Sequence, residues 1–257
     1  MPMMKKLLYI VTLMLIALPA QSQSALSNAD TAALIIGRHY EITDYDAIPK
    51  DSMLFIESHI VYQDQPKDTL LMRRWYVWPN RFRLEITRQD SLLTGYRNDG
   101  KDEYMKYDHR KDDWAPVNIN YYYNEMTSYD FRGPLYRWEA NGGELRYEGD
   151  MIYQGHPVSS VYVTMPGMYD KHYLFEKESG LLFLINETNK TFERTEFAQS
   201  IRVDWRAFLE YEQVGLSLLV SKESYKKDGI VVTIEHHGTI LPVYDRIFTH
   251  NKRLTTP

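Results

Sequence analysis

The sequence predicts a mainly β protein of the α+β kind: one strongly curved antiparallel sheet or partial barrel, with an N-terminal helix and a mid-chain helical insert. Three observations point there. From Met53 to Glu187 the chain reads as one strand after another, each with a single apolar face. The series is broken once, by the tyrosine-rich stretch Asn118–Ala140. Hairpin residues sit between strands, as in Asn98-Asp99-Gly100-Lys101 and Asp228-Gly229, where glycine tolerates the positive φ of primed turns.

Ser27 or Asn28 can cap the helix, with Asp30 in its first turn to suit the dipole. Ala32, Ala33, Leu34, Ile35, Ile36 and Tyr40 supply the apolar stripe, and Gly37 weakens the interior. Asp44–Lys50 is a loop closed by Pro49. Ser52–Gln63 is the first strand, Asp64–Asp68 a turn, and Thr69–Trp78 a strand apolar on both faces. Arg81–Thr87 is the cleanest: Phe82, Leu84 and Ile86 point one way, Arg81, Arg83, Glu85 and Thr87 the other. Ser91–Arg97 and Asp102–Asp108 follow, then a polar turn and Trp114.

In Asn118–Ala140 the alternation disappears. Tyr121, Tyr122, Tyr123, Met126, Phe131, Leu135 and Trp138 are too dense for a solvated loop, and Gly133-Pro134 divides the insert into two short helical pieces. Strands resume at Glu144–Glu148, with Leu145 and Tyr147 inward. Gly149-Asp150 and Gln154–Pro157 turn into Val158–Met165. Lys171–Glu176 and Leu181–Asn186 pair across Glu178-Ser179-Gly180. Phe197–Glu210, Leu216–Tyr225 and Ile230–His237 come next, and Ile240–Phe248 ends the fold. Ten or eleven strands are too many for a flat open sheet, which would curl or split.

Lys5 and Lys6, the apolar run Leu7–Leu18, and Ala20-Gln21-Ser22 before a cut at Gln23 describe a secretory signal peptide over residues 1–22. The run is too short for a bilayer, which needs about 20 apolar residues. Residues 23–257 then form a single domain, exported to the periplasm, soluble and monomeric. With no cysteine, the chain has no thiolate nucleophile, no cysteine–zinc site and no acylated N-terminal cysteine, so it is not itself lipid-anchored. Removing Lys5 and Lys6 from the 30 basic residues leaves 28 against 35 acidic ones, a formal charge of −7 that argues against nucleic acid.

No catalytic motif stands out, and no cofactor or metal is expected. There is no G-x-S-x-G elbow, no H-E-x-x-H and no phosphate-cradling glycine loop. Ser224–Lys227 fits S-x-x-K, a common spacing on a polar segment. Glu235-His236-His237 resembles a metal patch, but adjacent histidines on a strand face opposite ways, so solvated strand-end histidines are the simpler reading. Asp112-Asp113 reads as a polar turn. Asn186-Glu187-Thr188 and Asn189-Lys190-Thr191 are sequons. Most aromatics alternate with charged residues, which favours packing over a sugar platform.

The order of elements resembles the LolA-like periplasmic lipoprotein carriers and their relatives, the outer membrane lipoprotein-sorting proteins. The resemblance rests on Trp75–Thr87 (WYVWPNRFRLEIT), Tyr96–Trp114 (YRNDGKDEYMKYDHRKDDW) and Asp130–Glu187, above all DFRGPLYRWEANGGELRYEGDMIYQGHPV and the hairpin YLFEKESGLLFLI. Ile201–Tyr211 and LPVYDRIF at Leu241–Phe248 match less closely. The likeness spans nearly the whole mature chain through pattern and spacing, with no invariant signature. It implies an unclosed half-barrel whose apolar concavity is lidded by the first helix and the insert. The cargo would be lipoprotein acyl chains or another lipid, passed between membrane-bound donor and acceptor proteins, without enzymatic activity. Wall and lid would then include Leu34, Ile35, Trp75, Phe82, Leu84, Ile86, Tyr122, Met126, Phe131, Leu135, Trp138, Tyr147, Phe175 and Phe183. In these carriers an arginine on an early strand holds the lid closed; Arg73, Arg74 and Arg83 are all candidates here. The chain departs from its relatives after the first helix, where Thr43-Asp44-Tyr45 replaces a small-residue/glycine pair. The alternative is a non-enzymatic interaction protein with a permanently filled core.

Overall fold

The computed structural model describes residues 26–101, 103–118, 129–133, 135–136, 138–140, 142–166, 170–187, 203–227 and 229–249. The signal-peptide segment, Tyr122 and Met126 lie outside these. The described chain runs α1 (Asn28–Thr43), β1 (Ser52–Tyr62), β2 (Gln65–Val77), β3 (Arg81–Arg88), β4 (Ser91–Asn98), β5 (Tyr104–Asp108) and β6 (Asp113–Pro116). After the insert come β7 (Glu144–Tyr153), β8 (His156–Thr164), β9 (Lys171–Glu176), β10 (Leu182–Glu187), β11 (Val203–Val214), β12 (Ser217–Lys227), β13 (Ile230–Pro242) and α2 (Arg246–Thr249).

All thirteen strands form one antiparallel sheet in the order β6-β5-β4-β3-β2-β1-β13-β12-β11-β10-β9-β8-β7. β1 and β13 pair at the centre, Ser52 opposite Pro242 and Tyr62 opposite Val232. β6 and β7 are the two edges and do not meet, so the barrel stays open. Two meanders are therefore joined at one seam, made by strands nearly two hundred residues apart in the chain.

The sheet has an inner face, which carries α1, and an outer face, which carries α2. α1 begins with a reciprocal capping box between Ser27 and Asp30. It buries Ala32, Ile36, His39 and Thr43, one stripe at helical spacing. It stops at Asp44, whose φ of 43° is left-handed. Asp44 thus adopts the conformation that a glycine would supply more easily, and its carbonyl accepts from Ser217 Oγ at 2.7 Å. Ala32 and Ile36 pack on Val161, Val163, Phe175 and Leu182. A second inner cluster gathers Ile60, Leu70, Met72, Phe82, Leu84 and Ile234. Outside, Met53, Phe55, Trp75 and Val77 are covered by Ile247 and Phe248 of α2.

Several predicted boundaries are corrected. The Asp64–Asp68 turn, including Pro66, largely belongs to β2. Gly149-Asp150 does not turn; a register shift between Tyr147 and Gly149 lets β7 continue to Tyr153, a bulge of the kind glycine at positive φ permits. Trp114 lies in a strand of its own, β6. β13 runs through Pro242, and the chain ends its described course in a helix rather than a last strand. Within the insert, the predicted second helical piece is a series of turns: Tyr136 N donates to Gly133 O, Trp138 N to Leu135 O, and Gly142 N to Glu139 O. Most of the first piece, residues 119–128, lies outside the described residues.

Candidate functional site

At the middle of the inner wall five adjacent strands deliver a polar chain of side chains. Ser58 (β1) lies opposite His236 (β13). Glu223 (β12) and Arg206 (β11) continue the line, and Arg74 (β2) joins it from the other side. Arg74 Nη2 donates to Ser58 Oγ at 3.2 Å and lies 3.2 Å from His236 Nδ1. Ser58 Oγ is 2.8 Å from the same Nδ1. His236 Nε2 is 3.4 Å from Glu223 Oε1. Arg206 grips Glu223 with two bonds, Nε to Oε2 at 2.6 Å and Nη2 to Oε1 at 2.8 Å.

The polarity of this chain follows from donor chemistry. A guanidinium can only donate, so His236 Nδ1 accepts and its proton resides on Nε2, facing Glu223. Burial, with Arg74 and Arg206 adding to it, holds His236 below its ordinary value despite Glu223. Burial would raise Glu223, but Arg206 and then His236 overcome it and keep the carboxyl well below the usual carboxylate range. The cluster therefore stands as a neutral imidazole between charged groups. Ser58, His236 and Glu223 have the order of a nucleophile–base–acid relay. Ser58 is fully buried, however, and its Oγ already takes a bond from Arg74.

Arg74 also reaches the insert, with Nη1 donating to Tyr129 O at 3.2 Å. Tyr76 OH donates to the same carbonyl at 2.5 Å, and Tyr40 OH of α1 to Arg132 O at 3.2 Å. Beside these contacts lies a cavity of about 50 Å³, lined on one side by Arg74, Arg206, Glu223 and His236 and on the other by Asp130, Phe131, Arg132, Gly133 and Leu135. Ile56, Phe208, Tyr211, Leu219 and Val220 complete it. Arg74 Nε is buried and has no hydrogen-bond partner. Next to Tyr40 on α1, His39 Nδ1 accepts from Leu182 N at 3.2 Å, and burial pushes its pKa down to about 4.

The predicted wall and lid residues divide between the faces. Phe82, Leu84 and Ile86 line the inner face. Ile35, Leu135, Trp138, Tyr147 and Phe175 gather in the cluster under α1, and Phe131 packs with Tyr45 and Tyr76 between the two clusters. Three placements need correction. Leu34 is 60 % exposed on the solvent side of α1. Trp75 is buried on the outer face against α2, because its strand is apolar on both sides. Phe183 packs with Leu174, Leu184 and Ala207 outside the inner clusters, because a register shift between Leu182 and Leu184 resets the alternation. Among the candidate arginines, Arg73 pairs with Glu57 at 3.0 Å. Arg83 is sealed on the outer face, bonded to Glu85 and to Ile247 O. Only Arg74 lies on the inner face and reaches the insert.

Sequence reasoning missed Ser58, Arg206 and Glu223, and took His236 for a solvated residue although it is 5 % exposed. One signal was available: Glu223 and His236 interrupt the inward positions of strands that are otherwise apolar there. Among the described residues no group of three or more acidic or histidine side chains could hold a metal ion, and no helix is long and apolar enough to cross a membrane.

No family model matches the chain, and no curated protein matches it. Solved structures do match. A DUF1329 family protein from Desulfovibrio piger superposes with a TM-score of 0.57 at 11% identity, over 88% of this chain and 98% of that one. A domain assigned to the outer membrane lipoprotein-sorting proteins from Vibrio parahaemolyticus gives 0.53 at 11%, over 82% and 93%. A LolA superfamily protein from Nitrosomonas europaea gives 0.53 at 10%, over 84% and 96%. The chain therefore has the LolA-like fold; at such identities the likeness extends to the fold alone.

Proposed function

We propose that the protein is a periplasmic carrier that takes lipoprotein acyl chains, or another lipid, onto the inner wall beneath α1 and the insert, with Arg74 as the latch of that cover. The observation that carries this reading is the way the insert is attached. Its described part is a run of turns lying over the apolar wall and tied to it through backbone carbonyls, Tyr129 O to Arg74 and Tyr76, and Arg132 O to Tyr40. Such bonds can break without separating an ion pair, which suits a cover that opens and closes. Each buried CH₂ contributes about 0.8 kcal/mol, so an acyl chain leaves its membrane only for another apolar wall. The lipoprotein-sorting and LolA neighbours share this architecture and support the same reading.

A cavity of about 50 Å³ has room for a water or two, each occupying roughly 30 Å³ in the liquid, and not for an acyl chain. On the carrier reading this is the unloaded conformation; the small cavity also favours a second reading, an interaction protein whose core is permanently filled. Native mass spectrometry of protein purified gently from its host separates them. A carrier gains mass from lipids or acylated peptides; a chain that stays bare under every such challenge is not one.

A further inference from the structure

We infer that the cavity beside Arg74 is the head-group site for an amphiphile bearing one anionic head, a carboxylate or a phosphate, whose chain lies along the inner wall. This rests on the carrier reading and narrows it to a class of cargo.

An apolar wall holds an acyl chain by non-directional contacts, so charge in its middle is unnecessary for that task and costly to bury. Yet Arg74 is 7 % exposed, and its Nε has no acceptor. Leaving a buried guanidinium N–H without a partner is unfavourable, and Arg74 lines a cavity in which an acceptor could sit.

The charge balance selects the kind of acceptor. Among the described residues three guanidiniums border the cavity, Arg74, Arg132 and Arg206, against two carboxylates, Asp130 and Glu223. Arg132 is paired with Asp130 at 2.7 Å and Arg206 with Glu223 at 2.6 Å. The imidazoles His39 and His236 also border it, and burial keeps both below their ordinary pKa. Among the described residues Arg74 is thus the one cation at the cavity bonded only to neutral groups, Ser58, His236 and the Tyr129 carbonyl. One anion restores neutrality there, and a cationic head would be repelled.

Charge-assisted hydrogen bonds are roughly twice as strong as neutral ones, so a carboxylate or phosphate oxygen accepting from Arg74 Nε is favoured there over an uncharged acceptor.

The test is titration calorimetry with decanoate, decyl phosphate and uncharged decanol, at a pH where the carboxylate is ionised. The expected result is that at least one anion binds about tenfold to a hundredfold tighter than decanol, and the better of the two names the head. Arg74→Gln should erase the difference. In the unmutated protein the Arg74 Nε–H resonance should shift with that anion and not with decanol, a readout that holds even if the variant fails to fold. Equal binding of all three probes overturns the head-group site and leaves the carrier intact. Binding of none overturns both. An anion preference that survives in R74Q, or an Nε–H resonance that does not move, removes the site from Arg74.

Discussion

Two buried arginines sit on opposite faces of the same sheet, on neighbouring strands, and they are held in opposite ways. On the outer face Arg83 has no exposed surface and meets Glu85 Oε1 through Nε at 2.8 Å and Nη2 at 2.5 Å. Its Nη1 donates to Ile247 O, while Arg97 donates to Phe248 O, and both guanidiniums stack near Trp114. On the inner face Arg74 has only neutral partners, one of them a carbonyl of the insert, with Nε unpaired. In both places a guanidinium holds the overlying segment by a backbone carbonyl, but on the outer face that guanidinium has a buried countercharge on its own strand, and on the inner face it has none. Under the proposed function the inner side is the one that changes.

The largest effect is expected at the outer clamp. Glu85→Gln leaves Arg83 buried without its countercharge, and losing one partner of a buried pair costs about 3–5 kcal/mol. Denaturant unfolding should show a loss of that size, cooperative across the whole sheet; an unchanged midpoint would show that the clamp contributes nothing. Arg74→Met, by contrast, should cost about 1–3 kcal/mol. Its hydrogen-exchange signature should be concentrated in residues 129–140, with β3 and β4 close to unaltered. Uniform loosening of both faces would erase the distinction.

Acid should act on the inner side as well. The pKa of His39 is about 4 in the fold, against an ordinary value of 6.5. Between those values the unfolded chain binds more protons than the folded one, so stability falls as pH drops from 6.5 toward 4 and is indifferent to this group above that range. The full effect is roughly 3 kcal/mol. Melting curves at neutral pH and near pH 4.5 should differ less in His39→Gln than in the unmutated chain. The smallest effect belongs to Leu34→Gln: at 60 % exposure it should change stability by less than about 0.5 kcal/mol, which thermal melts would check.

What the sequence revealed follows from how locally each feature is encoded. The strands β3, β4 and β9 were legible because period-two alternation is written within each one, and hairpin turns such as Asp99-Gly100 join neighbours. The β1–β13 seam carries no local signal, and with it the meeting of Ser58, His236, Glu223 and Arg206 was hidden. Trp75 and Tyr76 show a second limit: alternation separates two faces without saying which is inner. Phe183 shows a third, since one bulge inverts every later inference on its strand. The choice among Arg73, Arg74 and Arg83 needed only parity once Phe82, Leu84 and Ile86 were placed inside. Arg83 lies on β3 opposite to them in direction, and Arg74 pairs with Leu84 across the ladder.

Under the proposed function the inner cover opens while the sheet beneath it stays folded. Native-state hydrogen exchange tests it directly, using the turn amides of Gly133, Tyr136 and Trp138, which are hydrogen-bonded in the closed form, against the ladder amides of β1, β2 and β13. A movable cover exchanges at a free energy well below that of global unfolding, and central strands only near it. The three turn amides should exchange far ahead of the central strands; equal protection in both would contradict a movable cover and leave a permanently filled core.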